Sequence, residues 1–335
     1  MRRLSSIFAL LALTPASQAI DRTTPPPSCL VVSKSSGSQY KTISAAVSAL
    51  SLSTTSPQCI FISPGTYKEQ ILLPPSLRSS LTIYGSTPDT STYKSNTVTI
   101  TSSKSQADGL SNDESATLRI KSPGGVKVYN IDIENGYGKG SQAVAVSVEV
   151  DAGFYGVSLR GYQDTVLVNL GRQVFGGCEV VGATDFVFGR RGSAWFEKCD
   201  IHVVSASLGY ITASGRQSTS DPTYYVFNNC SVAAAPGQSV PNGAYYLGRP
   251  WAAYARVVFQ RTDMSSVINP AGWRIWNSGD ERTGNVMFAE YGNTGPGAQG
   301  TRASFATKLS APVTMDAVLG SGYANAVWFD ASYLR

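Results

Sequence analysis

The segment FYGVSLRG, residues 154–161, is one of six segments that share an alternation of apolar and variable positions. The others are VYNIDIEN from Val128, FGGCEVVG from Phe175, FEKCDIHV from Phe196, FNNCSVAA from Phe227 and, more weakly, FQRTDMSS from Phe259. Alternation with a period of two predicts a short β-strand in each segment. The copies recur every ~20 to 30 residues with little helical pattern between them, which is typical of stacked repeats.

This repeat predicts an all-β fold in which successive coils stack as a parallel β-helix. A β-propeller would need four strands in each ~40-residue blade, with hairpin turn signals that the sequence lacks. Residues 40–52 have the apolar spacing of a helix, which we expect to cap the exposed strand edges at the N-terminal end. After Arg282 the pattern gives way to Gly-rich loops, with short helices predicted near residues 305–309 and 313–319. We expect one domain over residues 29–335.

Residues 1–19, MRRLSSIFALLALTPASQA, follow the order of a signal peptide: a basic start, an apolar stretch and a small-residue cleavage site. The apolar stretch is shorter than the ~18 residues that a membrane-spanning helix needs. Residues 20–28, rich in Pro and Thr, predict a short extended spacer. The sequence therefore predicts a secreted protein without a membrane anchor.

The composition excludes several kinds of chemistry. Of the 335 residues only 15% are Asp, Glu, Lys or Arg, compared with about 25% in a typical soluble domain, so a nucleic-acid partner is not expected. The single histidine, His202, makes a His-rich zinc site impossible and a serine triad improbable, and alternation places it on the outer surface. No Gly-x-Ser-x-Gly motif occurs. Because most outer strand positions are polar, we expect a monomer.

Five cysteines in a secreted chain suggest disulfides with one thiol left over. Cys29 and Cys59 begin two similar strands and could pair. Cys199 and Cys230 share one column of the repeat with Cys178, so either a Cys199–Cys230 bridge or a ladder of free buried thiols is compatible with the pattern. Asn229, in Asn-Cys-Ser, is a candidate for glycosylation.

Two carboxylates fall at one position of neighbouring coils. Asp164 and Asp185 each lie ten residues after the phenylalanine that begins their copy, Phe154 and Phe175. Stacked in register, they would be separated by about one strand spacing, ~4.8 Å. Two carboxylates that close titrate in coupled steps, so one is held protonated beside an anion. This division suits a nucleophile next to a general acid.

Stacked aspartates can also bind calcium or cap turns, and the pair alone leaves structural, calcium-binding and catalytic roles open. The flanking residues favour catalysis. Aromatic side chains accompany the acids, and Gln142 and Gln163 supply amide donors that suit a developing oxyanion. No third acid occupies the column, so no metal site is expected.

Arg249, in YLGRPW, is the candidate partner of one carboxylate. A two-pronged hydrogen bond from arginine would fix that carboxylate and keep it ionised. Trp251, two residues later, could flank a sugar ring. Alone, such a string is more often a solvated loop.

Five blocks then occur in order: GTYKE at 65–69, QAVAV at 142–146, GYQDTV at 161–166, DFVFG at 185–189 and LGRPW at 247–251. Together they resemble the signature blocks of the pectin methylesterases. ITASGRQ from Ile211, GWRIW from Gly272 and FAEYGNTGPG from Phe288 look like further family segments. The resemblance extends from about Val31 to the C-terminus and is nearest to secreted fungal forms.

The resemblance implies a right-handed parallel β-helix that hydrolyses C6 methyl esters of galacturonate in pectin, releasing methanol without a cofactor. It implies that Asp185 is the nucleophile and that Asp164 first protonates methanol and then activates water. Gln142 and Gln163 would form the oxyanion hole, and Arg249 would orient Asp185. The cleft-lining positions would be Thr66, Tyr162, Phe188, Arg249 and Trp251. Tyr162 stands where Phe is usual, and Val166 where Leu is usual, which removes no reacting group.

Other β-helix functions remain as alternatives. A pectate lyase would need calcium and a basic residue, and a polygalacturonase would need acids placed to cleave the glycosidic bond. Retaining glycosidases hold their carboxyls ~5 to 5.5 Å apart, so spacing alone does not exclude them. A carbohydrate-binding solenoid would use the aromatic residues without catalysis.

Overall fold

The computed structural model describes residues 20–334, which form three sheets of stacked strands. The first sheet contains β1 (Leu30–Val32), β2 (Gln58–Ile62), β5 (Leu81–Gly85), β8 (Val126–Tyr129), β11 (Ala152–Tyr155), β14 (Leu170–Gly176), β17 (Arg191–Glu197), β20 (Tyr225–Asn228), β23 (Arg256–Gln260), β25 (Met287–Tyr291) and β26 (Ala306–Lys308). The second contains β3 (Gly65–Lys68), β6 (Val98–Ser102), β9 (Asp132–Asn135), β12 (Ser158–Arg160), β15 (Glu179–Gly182), β18 (Asp200–Val203), β21 (Ser231–Ala234) and β24 (Asp263–Met264). The third contains β4 (Ile71–Leu73), β7 (Leu118–Ile120), β10 (Val146–Val148), β13 (Val166–Val168), β16 (Thr184–Gly189), β19 (Gly209–Ser214) and β22 (Tyr245–Pro250).

Neighbouring strands in each sheet run parallel, and each complete coil contributes one strand to each sheet. This arrangement is a parallel β-helix, as the repeat predicts. Its interior is one continuous apolar core of Val, Ile, Leu and Phe side chains. Because the chain advances by one strand spacing per coil, residues at equal positions of successive coils become neighbours.

The six segments of the repeat lie in register in the first sheet. The paired positions, in order along the sheet, are Val128, Phe154, Phe175, Phe196, Phe227 and Phe259. Consecutive phenylalanine rings stack with centroids 4.3 to 4.8 Å apart, and all of them are fully buried. The stacked rings therefore fix the register on which the site depends.

The predicted N-terminal helix is present as α1 (Ile43–Ser48), shorter than residues 40–52. It contacts β1, β2 and β4 and so covers the end of the solenoid. The Thr42 side chain caps its first turn, accepting a hydrogen bond from the Ala45 N–H. Glu69 accepts hydrogen bonds from the Ile43 and Ser44 N–H groups, which ties the helix to the turn before β4.

Two further helices are short: α2 (Asn112–Ser115) and α3 (Met315–Leu319). α3 confirms the helix predicted near residues 313–319. The helix predicted near 305–309 is wrong, because Ala306 pairs with Phe288 and the segment extends the first sheet as β26. Apolar spacing in so short a segment cannot separate a helix from an added strand.

Cys29 and Cys59 form a disulfide, with Cα atoms 4.6 Å apart, and they precede paired positions of β1 and β2. The Cys199–Cys230 bridge is wrong. Both residues and Cys178 are free, buried thiols on successive coils. Each thiol donates to a backbone carbonyl one coil earlier, Cys199 to Phe175 at 3.3 Å and Cys230 to Phe196 at 3.5 Å. The column is thus the predicted alternative, a ladder of buried thiols.

Residues 20–28 are part of the domain rather than a spacer. Arg22 pairs with Thr87 in an antiparallel bridge, and its guanidinium donates to the side-chain oxygen of Asn130 at 3.0 Å. The Tyr333 hydroxyl donates to the same oxygen at 3.3 Å. Both ends of the described chain therefore meet on one coil of the solenoid.

The signal peptide predicted for residues 1–19 lies outside the described residues. Among the helices of residues 20–334, none is long and apolar enough to cross a membrane.

Candidate active site

Asp164 and Asp185 lie on adjacent coils, near the N-terminal ends of strands β13 and β16 of the third sheet. The backbone of Gln163 pairs with that of Thr184, and the Asp164 N–H donates to the Thr184 carbonyl at 3.0 Å. Asp164 follows Gln163 and Asp185 follows Thr184, so the two aspartates occupy equivalent positions of adjacent coils, as the repeat predicts. Each aspartate is only 6% exposed.

Both aspartates have left-handed backbone conformations, with φ of 66° at Asp164 and 50° at Asp185. Such angles are costly for residues other than glycine and persist where the surrounding structure imposes them. Opposite β19, the register of β16 shifts between Thr184 and Val187. Phe186 and Val187 both enter the core as a result. This bulge redirects the chain at Asp185, as bulges beside active sites commonly do.

Arg249, in β22, holds one of the two acids. Its Nε donates to Oδ1 of Asp185 at 2.9 Å and its Nη2 donates to Oδ2 at 2.7 Å. The guanidinium lies between the rings of Tyr210 and Trp276, each with its centroid 4.2 Å away. Stacking on both faces restricts the guanidinium to the plane that suits a carboxylate.

The environment separates the two acids electrostatically. Burial raises the pKa of Asp164 well above its ordinary value, the Asp185 carboxylate adds to the rise, and Arg249 opposes it. Burial also raises the pKa of Asp185, but two hydrogen bonds and the charge of Arg249 oppose that rise directly. Because Arg249 forms hydrogen bonds to Asp185 and not to Asp164, Asp185 is the acid that ionises first and Asp164 is the acid that keeps its proton.

Gln142 and Gln163 lie on adjacent coils beside the acids, both partly exposed. The backbone N–H of Ala143, next to Gln142, donates to the Gln163 carbonyl at 3.1 Å. In residues 20–334 neither side-chain amide forms a hydrogen bond with the protein. Both amides are therefore available to a ligand at the acid pair.

An apolar floor continues from the acids along the outer face of the third sheet. Phe188 packs there with Leu167 and Ala213. Trp251 contacts this cluster, with its ring centroid 6.1 Å from that of Phe188, and the Arg190 guanidinium lies 4.2 Å from the Trp251 ring. A half-buried Trp supported by a buried apolar cluster can stack on a sugar ring.

Of the predicted cleft residues, Tyr162 lies close to the acid pair and Thr66 lies away from it. Tyr162 is half-buried immediately before Gln163, within the site. Thr66 lies in β3 of the second sheet, three strands from β12, and the structure does not bring it to the acids. Three strand spacings correspond to about 14 Å along the solenoid.

His202 faces outward on the second sheet, as predicted, but it is not freely exposed. Its Nδ1 lies 2.8 Å from a Glu179 carboxylate oxygen, and its side chain is 12% exposed. Although burial opposes ionisation, hydrogen bonds from His202 and Ser158 and the charge of Arg160 lower the pKa of Glu179 to about 2. His202 thus belongs to a hydrogen-bonded network around Glu179, on another sheet from Asp164 and Asp185.

Sequence reasoning gave no role to Tyr210 and Trp276. Trp276 ends the family-like segment GWRIW and Tyr210 immediately precedes ITASGRQ, yet only the fold shows that they enclose Arg249. A third contact connects this stack to the cleft: Arg282 lies over the Trp276 ring at 4.9 Å and donates to the Trp251 carbonyl at 2.5 Å. In the sequence, Tyr210 and Trp276 are only two of many aromatic residues. Aromatic content does not predict which residues become neighbours.

Fold and site together define a class, a parallel β-helix protein with two buried carboxylates at equivalent positions of adjacent coils. A family model described as Pectinesterase matches residues 29–312. The chain is 47% identical over 333 residues to a pectinesterase of Aspergillus niger, covering 98% of this chain and 99% of that protein. The chain therefore belongs to the pectinesterase family and is a carboxylic ester hydrolase.

Solved structures agree with this assignment. A crystal structure of the pectin methylesterase from Aspergillus niger, in penultimately deglycosylated form, superposes with a TM-score of 0.84 at 42% identity, covering 94% of this chain and 100% of that chain. Pectin methylesterase from carrot superposes with a TM-score of 0.80 at 30% identity, covering 93% and 98%. These findings confirm the resemblance and the parallel β-helix fold, and they favour the esterase over the lyase, polygalacturonase and binding-module alternatives.

Proposed function

We propose that this chain removes the methyl groups of C6 methyl esters of galacturonate in pectin, with Asp185 as nucleophile and Asp164 as general acid and base. The observation that carries the proposal is the asymmetry of the pair. Arg249 holds Asp185 in a two-pronged hydrogen bond and makes none to Asp164. One acid is thereby suited to attack and its neighbour to deliver a proton.

In the first half-reaction, the Asp185 carboxylate attacks the ester carbonyl carbon and a tetrahedral oxyanion forms. The free amides of Gln142 and Gln163 donate hydrogen bonds to that oxyanion. As the bond from carbon to the methoxy oxygen breaks, Asp164 gives its proton to that oxygen and methanol leaves. The products are an anhydride between the substrate and Asp185 and an ionised Asp164.

In the second half-reaction, the Asp164 carboxylate takes a proton from water while the water oxygen attacks the acyl carbon. Collapse of the second tetrahedral intermediate releases the free galacturonate and the Asp185 carboxylate. Asp164 is then protonated again, so the enzyme returns to its starting state with one ester and one water consumed. Neither half-reaction requires a metal or a cofactor.

The substrate would lie along the outer face of the third sheet. Trp251, which is partly exposed, would offer apolar contact to a sugar ring on one side of the acids, and Phe188, only 2% exposed, packs behind it. Tyr162, partly buried immediately before Gln163, would contact the sugar that carries the ester. Thr66 would contact the polymer only several units away.

Secretion and a monomeric state belong to the same proposal. The signal-peptide pattern of residues 1–19 and the disulfide between Cys29 and Cys59 support export to an oxidising compartment. Asn229 is exposed in the turn after β20, which supports its use as a glycosylation site. The polar outer strand positions support a monomer.

One assay tests the activity. The purified protein is incubated with highly methylated pectin, and methanol, chain length and unsaturated chain ends are followed together. Methanol release at constant chain length is the expected result. Unsaturated ends that require calcium would indicate a lyase, shortening without them a glycosidase, and no change in any of the three a binding protein.

A further inference from the structure

Residues 276–282 form a tight hairpin beside the acid pair, with Trp276 at its first end and Arg282 at its last. Trp276 stacks on Arg249, which places the first end against the partner of the nucleophile. The side chain of Arg282 is 30% exposed and turns back to the cleft, where it donates to the Trp251 carbonyl at 2.5 Å. Neither half-reaction uses Arg282.

Arg282 contacts two aromatic residues on which the site depends. Its guanidinium carbon lies over the Trp276 ring, 4.9 Å from the centroid, and that of Arg249 lies over the same ring at 4.2 Å. Two guanidinium groups this close to one ring centre would collide on a single face, so the ring lies between them. Within residues 20–334, no backbone N–H donates to the Trp251 carbonyl that Arg282 holds. Arg282 therefore connects the support of Arg249 to the support of the cleft.

The backbone at Arg282 has a left-handed conformation, with φ of 57°. Such a conformation is costly for a residue other than glycine and persists where the surroundings impose it. The guanidinium also donates three hydrogen bonds to the Asp280 carboxylate, at 2.6 to 3.0 Å. An exposed ion pair contributes little stability, so the contact with Asp280 alone gives no reason to keep a strained backbone. The contacts with the cleft give that reason.

Arg282 reaches the nucleophile only through Trp276. The charged and titratable groups that face Asp185 are Asp164, Arg249 and Tyr210. Arg282 is not among them, and its own charge is paired with Asp280. An effect of Arg282 on the ionisation of Asp185 must therefore pass through the ring of Trp276 and the orientation of the guanidinium stacked on it.

We propose that Arg282 is a positioning residue for ester hydrolysis: it holds Trp276 against the arginine of the site and Trp251 against the sugar. This inference rests on the proposed function, since both contacts matter only if Asp185 attacks an ester of the polymer. When Trp276 loosens, Arg249 loses one of its two flanking rings, and its two-pronged hold on Asp185 weakens. When Trp251 loosens, the contact with the sugar weakens and KM rises.

The test replaces Arg282 by glycine, which suits a left-handed backbone and so removes the side chain without adding strain. The matched control is Arg261→Gly. Arg261 also has a left-handed backbone, with φ of 50°, and lies 5.9 Å from the ring of Tyr291, but it belongs to the turn after β23 of the first sheet. The kinetics on methylated pectin across the pH range and the Tm are measured for both variants.

We expect Arg282→Gly to raise KM about 3- to 10-fold, as the loss of one hydrogen bond that fixes a binding residue would. We also expect the acid limb of the kcat/KM profile to move to higher pH, because a less firmly held Asp185 is protonated at a higher pH. The Tm should change no more than in Arg261→Gly. Arg282→Asn, also compatible with a left-handed backbone, should give the same kinetic changes.

A double-mutant cycle with Trp276→Leu separates the two contacts. In the Trp276→Leu background, Arg282→Gly should no longer move the acid limb, whereas it should still raise KM through Trp251. An equal shift of the acid limb in both backgrounds would overturn the route through Trp276. An unchanged KM, or equal kinetic changes in Arg261→Gly, would overturn the positioning role itself.

Failure of the proposed function is a separate result, because wild type would then release no methanol. As a readout without chemistry, binding of highly methylated pectin to Asp185→Asn should weaken when Arg282→Gly is added. Unchanged binding there would also overturn the role of Arg282 at Trp251.

Discussion

Arg249 donates two hydrogen bonds to Asp185, at 2.9 and 2.7 Å, although Asp164 occupies the equivalent position of the preceding coil. The repeat makes the two acids equivalent in register, and one arginine from β22 makes them different in charge. Stacking of Arg249 between Tyr210 and Trp276 maintains this difference, because the guanidinium cannot turn toward the second acid without leaving both rings.

Replacing the nucleophile should abolish turnover without unfolding the protein. We expect Asp185→Asn to lower the rate of methanol release by at least about 10³-fold, since it removes a group that forms a covalent bond. Methanol release and thermal unfolding are measured together. Asp263→Asn, at an exposed aspartate of the second sheet, serves as the control. Turnover near the wild-type rate in Asp185→Asn would contradict the nucleophile assignment.

Arg249→Lys should change the pH dependence as well as the rate. A single ammonium cannot replace the two-pronged contact, so the pKa of Asp185 is expected to rise further above its ordinary value. The ionised nucleophile is then lost at a higher pH, and the acid limb of the kcat/KM profile moves to higher pH while kcat falls by about 10- to 100-fold. A lower kcat with an unchanged acid limb would contradict the role of Arg249 in keeping Asp185 ionised.

The proton on Asp164 has a consequence for stability. Burial and Asp185 raise the pKa of Asp164 in the folded state, so the folded state resists its ionisation. A raised pKa contributes stability at low pH that is lost as pH rises through the folded-state value. We therefore expect the inactive variant Asp164→Asn to have a Tm about 2 to 5 °C above wild type at alkaline pH, with the gap closing at low pH.

Melting curves of both proteins across the pH range measure this difference. A Tm difference that stays constant with pH would contradict a strongly raised pKa at Asp164.

Each oxyanion donor should affect kcat more than KM. Gln142→Ala and Gln163→Ala remove amides that form no hydrogen bond within residues 20–334, so little structural cost is expected. Loss of one such donor typically lowers kcat by about 10²- to 10³-fold. Steady-state kinetics on methylated pectin measures the effect, with the exposed Gln299→Ala as control. A rise in KM at constant kcat would assign these residues to substrate binding instead.

The disulfide should stabilise the N-terminal end. Cys29 and Cys59 are separated by 30 residues, a loop whose closure is worth about 3.6 kcal/mol. We expect Cys29→Ser/Cys59→Ser to lower the free energy of unfolding by about that amount, measured by denaturant titration. Activity at low temperature should be retained, because the acids lie on later coils. Full loss of activity in the folded variant would contradict this separation.

The repeat was enough to predict both the fold and the placement of the acid pair. Phe154 and Phe175 set the register, and residues ten positions later must then be neighbours. The contacts of Arg249 with Tyr210 and Trp276 were not predictable, because their segments follow loops of unequal length. The partial burial of His202 was not predicted, because alternation gives the face on which a side chain lies but not its neighbours on that face, here Glu179.

The meeting of Arg22 and Tyr333 on Asn130 has a further consequence. In a solenoid each coil contacts only its neighbours, so such a molecule can fray coil by coil from either end. Here both ends of the described chain are fastened to one coil in the interior of the stack. Loosening an end requires breaking that shared attachment, which couples the first coils to the last. The domain should therefore unfold in one cooperative transition, and removing the C-terminal segment should split that transition in two.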